Sequence, residues 1–409
     1  MPKRPARSAW VVLVLVCAWW PLGCGSEAPS GDASASPAPT PAARPGSEPG
    51  SPSRSQAPPD ASGTPQLKPP AGLDLARSPR IALAEGLTIV NAVVEDLGDY
   101  EVVMRVSVPA PERINVSYSA TLPVDGKPTE LHGGRTVFAR DLQSARIYKI
   151  RWLSGRSETA RGTTALGLSK AVFEEVRNGG SSECSLSSVD QVGSSFGALG
   201  LATPEYEATL ERVGSGPVPG PVLVDGQRVW IPSVRAKGTF EGLTGDVEAE
   251  FWFLDDPDNP LTLRAVIGAA RLVVVRIDRG ASAEGSRLEK ALAADDGVVE
   301  LSGIYFEFAS ARLRPESEAA VGEAVSVLRR HPDWRVRFEG HTDSIGSAGA
   351  NMTLSAARAE AVRQAILDRL GGGAGRLEAA GFGHTRARES NDTPEGRARN
   401  RRVEIVRVH

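Results

Sequence analysis

The spacing of apolar residues changes at Val298, and this change most restricts the folds open to the chain. In "WRVRF", Val336 and Phe338 alternate with arginines, as expected of a strand with one buried face. In the segment before that strand, apolar residues recur at the three- and four-residue intervals of one helix face: Val321, Ala324, Val325 and Leu328. Strands and helices therefore alternate in this part of the chain.

The boundaries of these elements follow from local chemistry. Pro315 suits a first helical turn and Pro332 ends that helix. A second helix is predicted from Asn351, as its cap, to Gly371, and a short one follows Thr393 as cap. "VVELSGIYFEF", "RLEAAGFG" and "RRVEIVRV" are the other predicted strands. The order β-α-β-α-β-β predicts an α+β domain with helices on one face of a mixed sheet.

Residues 72–280 have a different pattern, in which alternating apolar runs are separated by turn signals such as "VDGK" and "VDGQ". One helix is predicted in "LSKAVFEEVRNGG", with Ser169 as its cap and Gly179 at its end. We therefore predict a β-rich domain of unknown type at 72–280, a linker at 281–297 and the α+β domain at 298–409.

The first residues have the features of a secretion signal. Lys3, Arg4 and Arg7 precede a short apolar run that ends before Cys24. The run is shorter than the about 20 residues that span a membrane. Residues 1–24 are predicted to be a lipoprotein signal peptide, because Gly23-Cys24 resembles the cleavage point of bacterial lipoproteins; an ordinary signal peptide cut nearby is the alternative. The Pro-, Ser-, Ala- and Gly-rich residues 25–71 are predicted to form a disordered tether.

Composition removes several classes of function. A net charge of −3 gives no bulk electrostatic attraction to nucleic acid, although "RARNRR" taken alone resembles a basic patch. The five histidines have no paired spacing for a metal, so neither a metal nor a cofactor is predicted. After processing, Cys184 is expected to keep the one free thiol, as an incidental loop cysteine or a reactive one.

The turn "FLDDPDNPL" offers oxygen ligands to calcium. It lacks the glycine and the terminal glutamate of a helix-loop-helix calcium site, so a tight turn is preferred. The residues concerned are Asp255, Asp256, Asp258 and Asn259.

The loop "EGHTDSIG", at 339–346, lies between a predicted strand and a predicted helix, where binding residues are often placed. Asp343 in this loop and Arg358 two turns into the helix are expected to face the same pocket. They either neutralise each other or bind a ligand that carries both an ammonium and a carboxylate group.

Three blocks of this region resemble the signature blocks of OmpA-like peptidoglycan-binding domains. They are "YFEFASARLRPES", "EGHTDSIGSAGANMTLSAARAEAV" and "NDTPEGRARNRRVEI". The resemblance implies non-covalent binding of the diaminopimelate of a peptidoglycan stem peptide, with Asp343 accepting from its ammonium group and Arg358 binding its carboxylate. Asn351 is expected to order the loop or bond the ligand, and Arg401 to line the same pocket. The supporting residues that these blocks imply are Thr342, Gly346, Asn400 and Arg397.

Two positions depart from the pattern of the family. Ala309 stands where several relatives have a polar loop residue, and Ile345 where some have threonine. Because both positions can contribute backbone groups, weaker side-chain contacts are expected rather than loss of binding.

The resemblance implies a non-catalytic cell-envelope lipoprotein that anchors the outer membrane to peptidoglycan. Its expected partners are peptidoglycan and a membrane held through lipid on Cys24, and a protein bound by the β-rich domain is a further candidate. Gly25 is not the aspartate that commonly retains lipoproteins in the inner membrane, so the periplasmic face of the outer membrane is expected. In the alternative, the β-rich domain performs partner docking or ligand binding as the main activity, and the C-terminal domain holds it at the wall.

Two other classes fit the residues less well. A catalytic triad of His341, Asp343 and Ser344 or Ser347 needs spatial convergence, which neighbours on one loop rarely achieve. A flagellar-stator-type protein shares the C-terminal module but keeps an uncleaved membrane helix.

Overall fold

The computed structural model describes residues 69–95, 98–124, 127–150, 155–159, 161–187, 206–242, 245–280, 287–294 and 297–408. The predicted signal peptide, Cys24 and the predicted tether up to residue 68 lie outside these ranges. Thr64–His409 forms one compact unit. Among the described residues, no helix is both long enough and apolar enough to cross a membrane.

The described part of the β-rich region forms a 14-stranded sheet. Its strands are β1 Thr88–Glu95, β2 Gly98–Ala110, β3 Arg113–Val124, β4 Lys127–Phe138, β5 Ile147–Lys149, β6 Ser157–Thr159, β7 Thr163–Thr164, β8 Ser181–Ser187, β9 Tyr206–Arg212, β10 Val218–Val224, β11 Gln227–Gly242, β12 Val247–Leu254, β13 Thr262–Ile267 and β14 Ala270–Asp278. They are ordered β6-β4-β3-β2-β1-β14-β13-β12-β11-β9-β8-β5-β7, and β10 pairs with β11 and β14. The predicted β-rich character is confirmed.

Two short helices accompany this sheet, α1 Ala139–Ser144 and α2 Lys170–Glu174. The Ser169 hydroxyl accepts from the backbone N–H of Val172, which confirms the predicted cap. The predicted end at Gly179 is wrong by one residue. The helix continues as a π-helical turn, and Gly180, at φ 87°, adopts the left-handed conformation that ends it.

The strands of this sheet bury side chains on both of their faces. On one face, Ile89 of β1 and Val102 of β2 belong to a large apolar core. On the other face, Val90 and Ala92 pack with Tyr305 and with side chains on neighbouring elements. That second face therefore lies against the C-terminal part of the chain.

The C-terminal elements alternate as predicted. They are α3 Arg287–Ala293, β15 Val298–Glu300, α4 Glu318–Arg330, β16 Arg335–Gly340, α5 Ala348–Leu370, β17 Leu377–Gly381, α6 Pro394–Asn400 and β18 Val403–Val408. The strand order is β15-β18-β16-β17; β16 and β17 are parallel and the other pairs antiparallel. Val325 of α4 and Val362 of α5 share one core with Phe338 of β16. The predicted mixed sheet with helices packed on it is confirmed.

Several boundaries in this domain differ from the sequence prediction. Asn351 does not cap α5, because Ser347 does so four residues earlier by accepting from the N–H of Ala350. Gly371, at φ 72°, ends that helix as predicted. The predicted strand "VVELSGIYFEF" is a strand only at Val298–Glu300, since the chain turns at Gly303, which has φ 78°.

Candidate ligand-binding site

The described residues enclose a cavity of about 250 Å³ beside the loop that follows β16. The four residues predicted to contact a ligand all line it: Asp343, Asn351, Arg358 and Arg401. Of the predicted supporting residues, Thr342 and Arg397 also line it. The structure thus brings together side chains that lie up to 58 positions apart in the sequence.

Asp343 is held in place by the backbone around it. Its Oδ1 accepts from the N–H of Ile345 at 3.0 Å, and its Oδ2 accepts from Arg401 Nη1 at 2.5 Å. The Asn351 side chain donates to the carbonyl oxygens of Asp343 and Ile345, at 3.1 and 3.0 Å. Gly346 completes the loop at φ 93°, a conformation that side-chain-bearing residues rarely adopt. Asn351 therefore orders the loop.

Arg358 is a buried cation that forms no ion pair with any described residue. Its Nε donates to the carbonyl oxygen of Ser310 at 2.9 Å, and its guanidinium lies 4.9 Å from the ring centroid of Phe306. Burial, and next the nearby Arg401, lower the pKa of Arg358 to about 10. A buried charge without a counter-ion is costly, so an anion in the cavity would be favourable here.

Arg401 bridges two carboxylates rather than one. Its Nη1 contacts Asp343, and its Nη2 donates to Glu101 Oε1 of β2 at 2.7 Å. Arg397 pairs in the same way with Asp99 of β2. The β-rich region therefore already engages one predicted binding residue, Arg401, and one predicted supporting residue, Arg397.

The supporting residue Asn400 orders the chain around it through backbone and side-chain hydrogen bonds. Asn400 accepts from the N–H groups of Arg388 and Glu389 at 2.8 and 3.0 Å, and it donates to Asn391 Oδ1 at 2.9 Å. Asn391 Oδ1 in turn accepts from the N–H of Ser344, at 3.2 Å, so Asn400 braces the loop that carries Asp343.

The two departures from the family pattern lie on the cavity wall. Ala309 has φ 47°, and the next residue, Ser310, supplies the carbonyl oxygen that Arg358 uses. Ile345 is 60% exposed and contributes its backbone N–H and carbonyl to the loop. At Ile345, the expectation of a backbone contribution is confirmed.

Sequence reasoning missed one wall of the cavity. That wall comes from β1, β2, β3, β10 and β14, and its polar members are Asp99, Tyr100, Glu101, Thr121 and Arg276. On the cavity wall, Arg314 donates to Thr121 Oγ1 at 2.7 Å, and the contact extends beyond the cavity where Tyr305 donates to Asp278 at 2.6 Å. The one sequence signal for this wall was the alternation of Asp99 and Glu101 in "GDYEVV". Such alternation is typical of any exposed strand face, so it did not indicate a binding site.

A second titratable cluster lies beside the cavity. Ligand atoms of Glu339, His341 and Glu404 lie within 4.8 Å of one another, which is compatible with a metal. The two carboxylates are, however, paired with four arginines: Arg337, Arg386, Arg388 and Arg402. Those cations already neutralise the carboxylates, so this arrangement is a buried ion-pair network and disfavours a metal.

The carboxylates of the acidic turn "FLDDPDNPL" likewise form ion pairs with basic side chains. Asp258 pairs with Lys170 at 3.0 Å and with Arg80 at 3.1 Å, and Asp255 pairs with Arg177 at 2.6 Å. The segment forms a turn between β12 and β13, as preferred over a calcium site.

The other two candidates for reactivity were the Cys184 thiol and a catalytic triad around His341. Burial raises the pKa of the Cys184 thiol to about 12, which removes its thiolate near neutral pH. Neither ring nitrogen of His341 hydrogen-bonds to Asp343 or to Ser344 in the described structure, so the loop holds no assembled triad.

Comparison with known proteins identifies a family match in the C-terminal part of the chain. The OmpA family matches residues 305–401, so the chain carries an OmpA family domain at its C-terminus. The chain is 38% identical over 105 residues to the probable lipoprotein YiaD of Escherichia coli, covering 26% of this chain and 48% of that protein. It is 41% identical over 103 residues to the peptidoglycan-binding protein ArfA of Mycobacterium tuberculosis, covering 25% and 31%.

Among solved structures, the chain is similar to the peptidoglycan-associated lipoprotein from Burkholderia pseudomallei. The identity is 30% and the TM-score 0.24, over 27% of this chain and 88% of that one. The chain spans less than half the length of each of the two curated relatives. The family match lies in the C-terminal quarter of the chain.

Proposed function

We propose that this protein is a non-catalytic component of the cell envelope whose C-terminal domain binds peptidoglycan non-covalently. The observation that carries the proposal is that Asp343 and Arg358, which forms no ion pair with any described residue, lie on the wall of one cavity. An amino-acid end with an ammonium and a carboxylate group complements that pair. The relative named as peptidoglycan-binding supports the same ligand class.

The proposed ligand group is the free centre of diaminopimelate. Arg358 would donate two parallel N–H bonds to its carboxylate, and Asp343 would accept from its ammonium group. Asn351 and Asn400 keep the loop in the conformation that presents Asp343. The cavity volume, about 250 Å³, is below the about 300–1,000 Å³ of typical ligand pockets, which suits the end of one side chain rather than a whole peptide.

We further propose that residues 298–409 form the wall-binding domain and that lipid on Cys24 holds the chain at the periplasmic face of the outer membrane. Residues 25–71 would then act as a tether and 281–297 as a linker. Support for this arrangement comes from the sequence of residues 1–71 and from the relative named as a probable lipoprotein. Several acyl chains on one cysteine suffice for stable anchoring.

The alternative function, ligand binding by the β-rich region, has less support from the described residues. A cavity there, beside Leu83 and Ile114, holds only about 20 Å³. That volume is too small for an organic ligand.

The test is co-sedimentation of the full chain with peptidoglycan sacculi that contain diaminopimelate. Asp343→Ala and Arg358→Ala are each expected to weaken binding by about 10- to 100-fold, since a hydrogen bond to a charged group contributes about 1.5–3 kcal/mol. Free diaminopimelate is expected to release the wild-type protein from the pellet.

Arg363→Ala is the matched control, because Arg363 lies on the same helix as Arg358. Among the described residues, Glu360 is the only acid that forms an ion pair with Arg363. It is expected to sediment like the wild type. A folded wild-type chain that stays in the supernatant, or equal losses in Arg363→Ala and Arg358→Ala, would contradict the proposal.

A further inference from the structure

The cavity that carries the proposed function is completed by residues outside the matched family domain. The match begins at residue 305, whereas Asp99 and Glu101 belong to β2 of the β-rich region. Each of these acids engages an arginine of the C-terminal domain: Glu101 contacts Arg401 at 2.7 Å, and Asp99 contacts Arg397. The β-rich region therefore alters the charge of the proposed binding site.

The wall of the cavity is strongly basic without these two acids. Seven arginines line it, against four carboxylates, of which two are Asp99 and Glu101. Of the other two carboxylates, that of Asp343 forms an ion pair with Arg401. The carboxylate of Glu307 forms an ion pair with Arg312, which does not line the cavity. A basic cavity of this kind would attract any carboxylate, because the attraction between opposite charges is strengthened where water is excluded.

Glu101 stands where such a carboxylate would otherwise bind. Arg401 presents one nitrogen to Asp343 and the other to Glu101, so both of its outer nitrogens are occupied. Arg358 and Arg399 line the cavity without an ion pair among the described residues, and Arg358 is the one that lies near Arg401. A ligand carboxylate at Arg358 would thus approach Glu101, and like charges repel unless a cation lies between them.

We propose that Glu101 is a specificity-determining residue of this cavity, which makes it select a zwitterionic ligand end and reject a simple carboxylate. The proposal rests on the proposed function, because it concerns the ligand of the same site. The ammonium group of a zwitterion offsets the charges of Asp343 and Glu101 while its carboxylate binds Arg358. A ligand that has only a carboxylate group makes the contact with Arg358 but is repelled by the negative charge of Glu101.

Diaminopimelate and pimelate form a matched pair of probes, because both are seven-carbon dicarboxylates and pimelate lacks the two ammonium groups. Calorimetric titration of the full chain is expected to show at least tenfold tighter binding of diaminopimelate than of pimelate. In Glu101→Gln, the affinity for pimelate is expected to rise at least tenfold, so that this selectivity largely disappears. Glutamine keeps an oxygen that accepts from Arg401, which preserves the contact while removing the charge.

Glu112→Gln is the control, because Glu112 lies exposed in the turn after β2 and its exchange changes the net charge equally. It is expected to leave both affinities within twofold of the wild type. Melting temperatures of the three proteins confirm that each is folded.

The result for pimelate decides the inference by itself. No gain of pimelate binding in Glu101→Gln overturns it, whether or not the wild type binds peptidoglycan. Weaker binding of diaminopimelate without that gain also overturns it, and would identify Glu101 as an acceptor for the ammonium group. Failure of the proposed function is seen separately, in the sedimentation of the wild type beside Asp343→Ala and Arg358→Ala.

Discussion

Replacing Glu300 by alanine is expected to lower the free energy of unfolding by about 3–5 kcal/mol, the cost of leaving a buried charge without its partner. Glu300 lies in β15 with 2% of its side chain exposed, and it accepts from Arg276 Nη2 of β14 at 2.8 Å. Arg276 is itself only 9% exposed. Without Glu300, the Arg276 guanidinium stays buried and loses its hydrogen-bonded counter-ion.

The measurement is denaturant unfolding of the full chain, followed by tryptophan fluorescence. The double variant Arg276→Met, Glu300→Leu is the control, since it removes both charges and fills their space with apolar groups. It is expected to recover most of the loss, because replacing a buried ion pair by packed apolar side chains is often neutral. Arg388 also contacts Glu300, at 3.1 Å. In both variants Arg388 retains its ion pair with Glu404, at 2.8 Å. A loss below about 1 kcal/mol in Glu300→Ala would show instead that the pair is hydrated.

The position of this ion pair has a structural consequence. It joins the large sheet to the four-stranded sheet, next to an apolar cluster that contains Val90, Val275 and Ala398. Opening the contact between the two sheets would expose that cluster and separate the buried charges. The packing of the two sheets therefore holds the acids of β2 against the ligand cavity, which is why a single charge at Glu101 can affect ligand selection.

Local patterns accounted for most elements of the C-terminal domain. Helices α4 and α5 were predicted because their apolar residues repeat with the period of a helix, and Gly371 and Thr393 act as caps as expected. The cap of α5 was misplaced, since both Ser347 and Asn351 are suitable capping residues and the sequence does not rank them. The strand at β15 was predicted too long, because its apolar residues continue past the turn at Gly303 into packed, irregular chain.

The candidate site was predictable only where its residues belong to the recognisable blocks of the C-terminal domain, which include Arg401 as well as the loop and the adjoining helix. Asp343, Asn351 and Arg358 lie within 16 consecutive positions and follow a recognisable block. Glu101 lies 300 positions from Arg401, and its carboxylate resembles any acid on an exposed strand face. An unpaired solvated acid and an acid that another part of the chain will engage look alike in sequence, because the difference arises only from tertiary packing.

Replacing Gly340 by alanine is expected to destabilise the protein by about 3 kcal/mol, at the upper end of the usual cost of overpacking, and to weaken binding to sacculi at least tenfold. Gly340 ends β16, and a Cβ atom there would lie 2.0 Å from the carbonyl oxygen of Ser355. That oxygen belongs to the backbone of α5, so no side-chain rotation can relieve the contact. The whole helix would have to move away from the sheet.

Such a movement would reach the cavity directly, because α5 carries Asn351 and Arg358. Gly322→Ala on α4 is the control, since a Cβ there meets no atom within 4 Å. It is expected to stabilise the protein by about 0.5–1 kcal/mol, the usual gain of alanine over glycine in a helix, and to leave binding unchanged. Wild-type stability and binding in Gly340→Ala would mean that α5 can separate from the sheet at little cost. The close packing of Gly340 against Ser355 would then not be what positions Arg358.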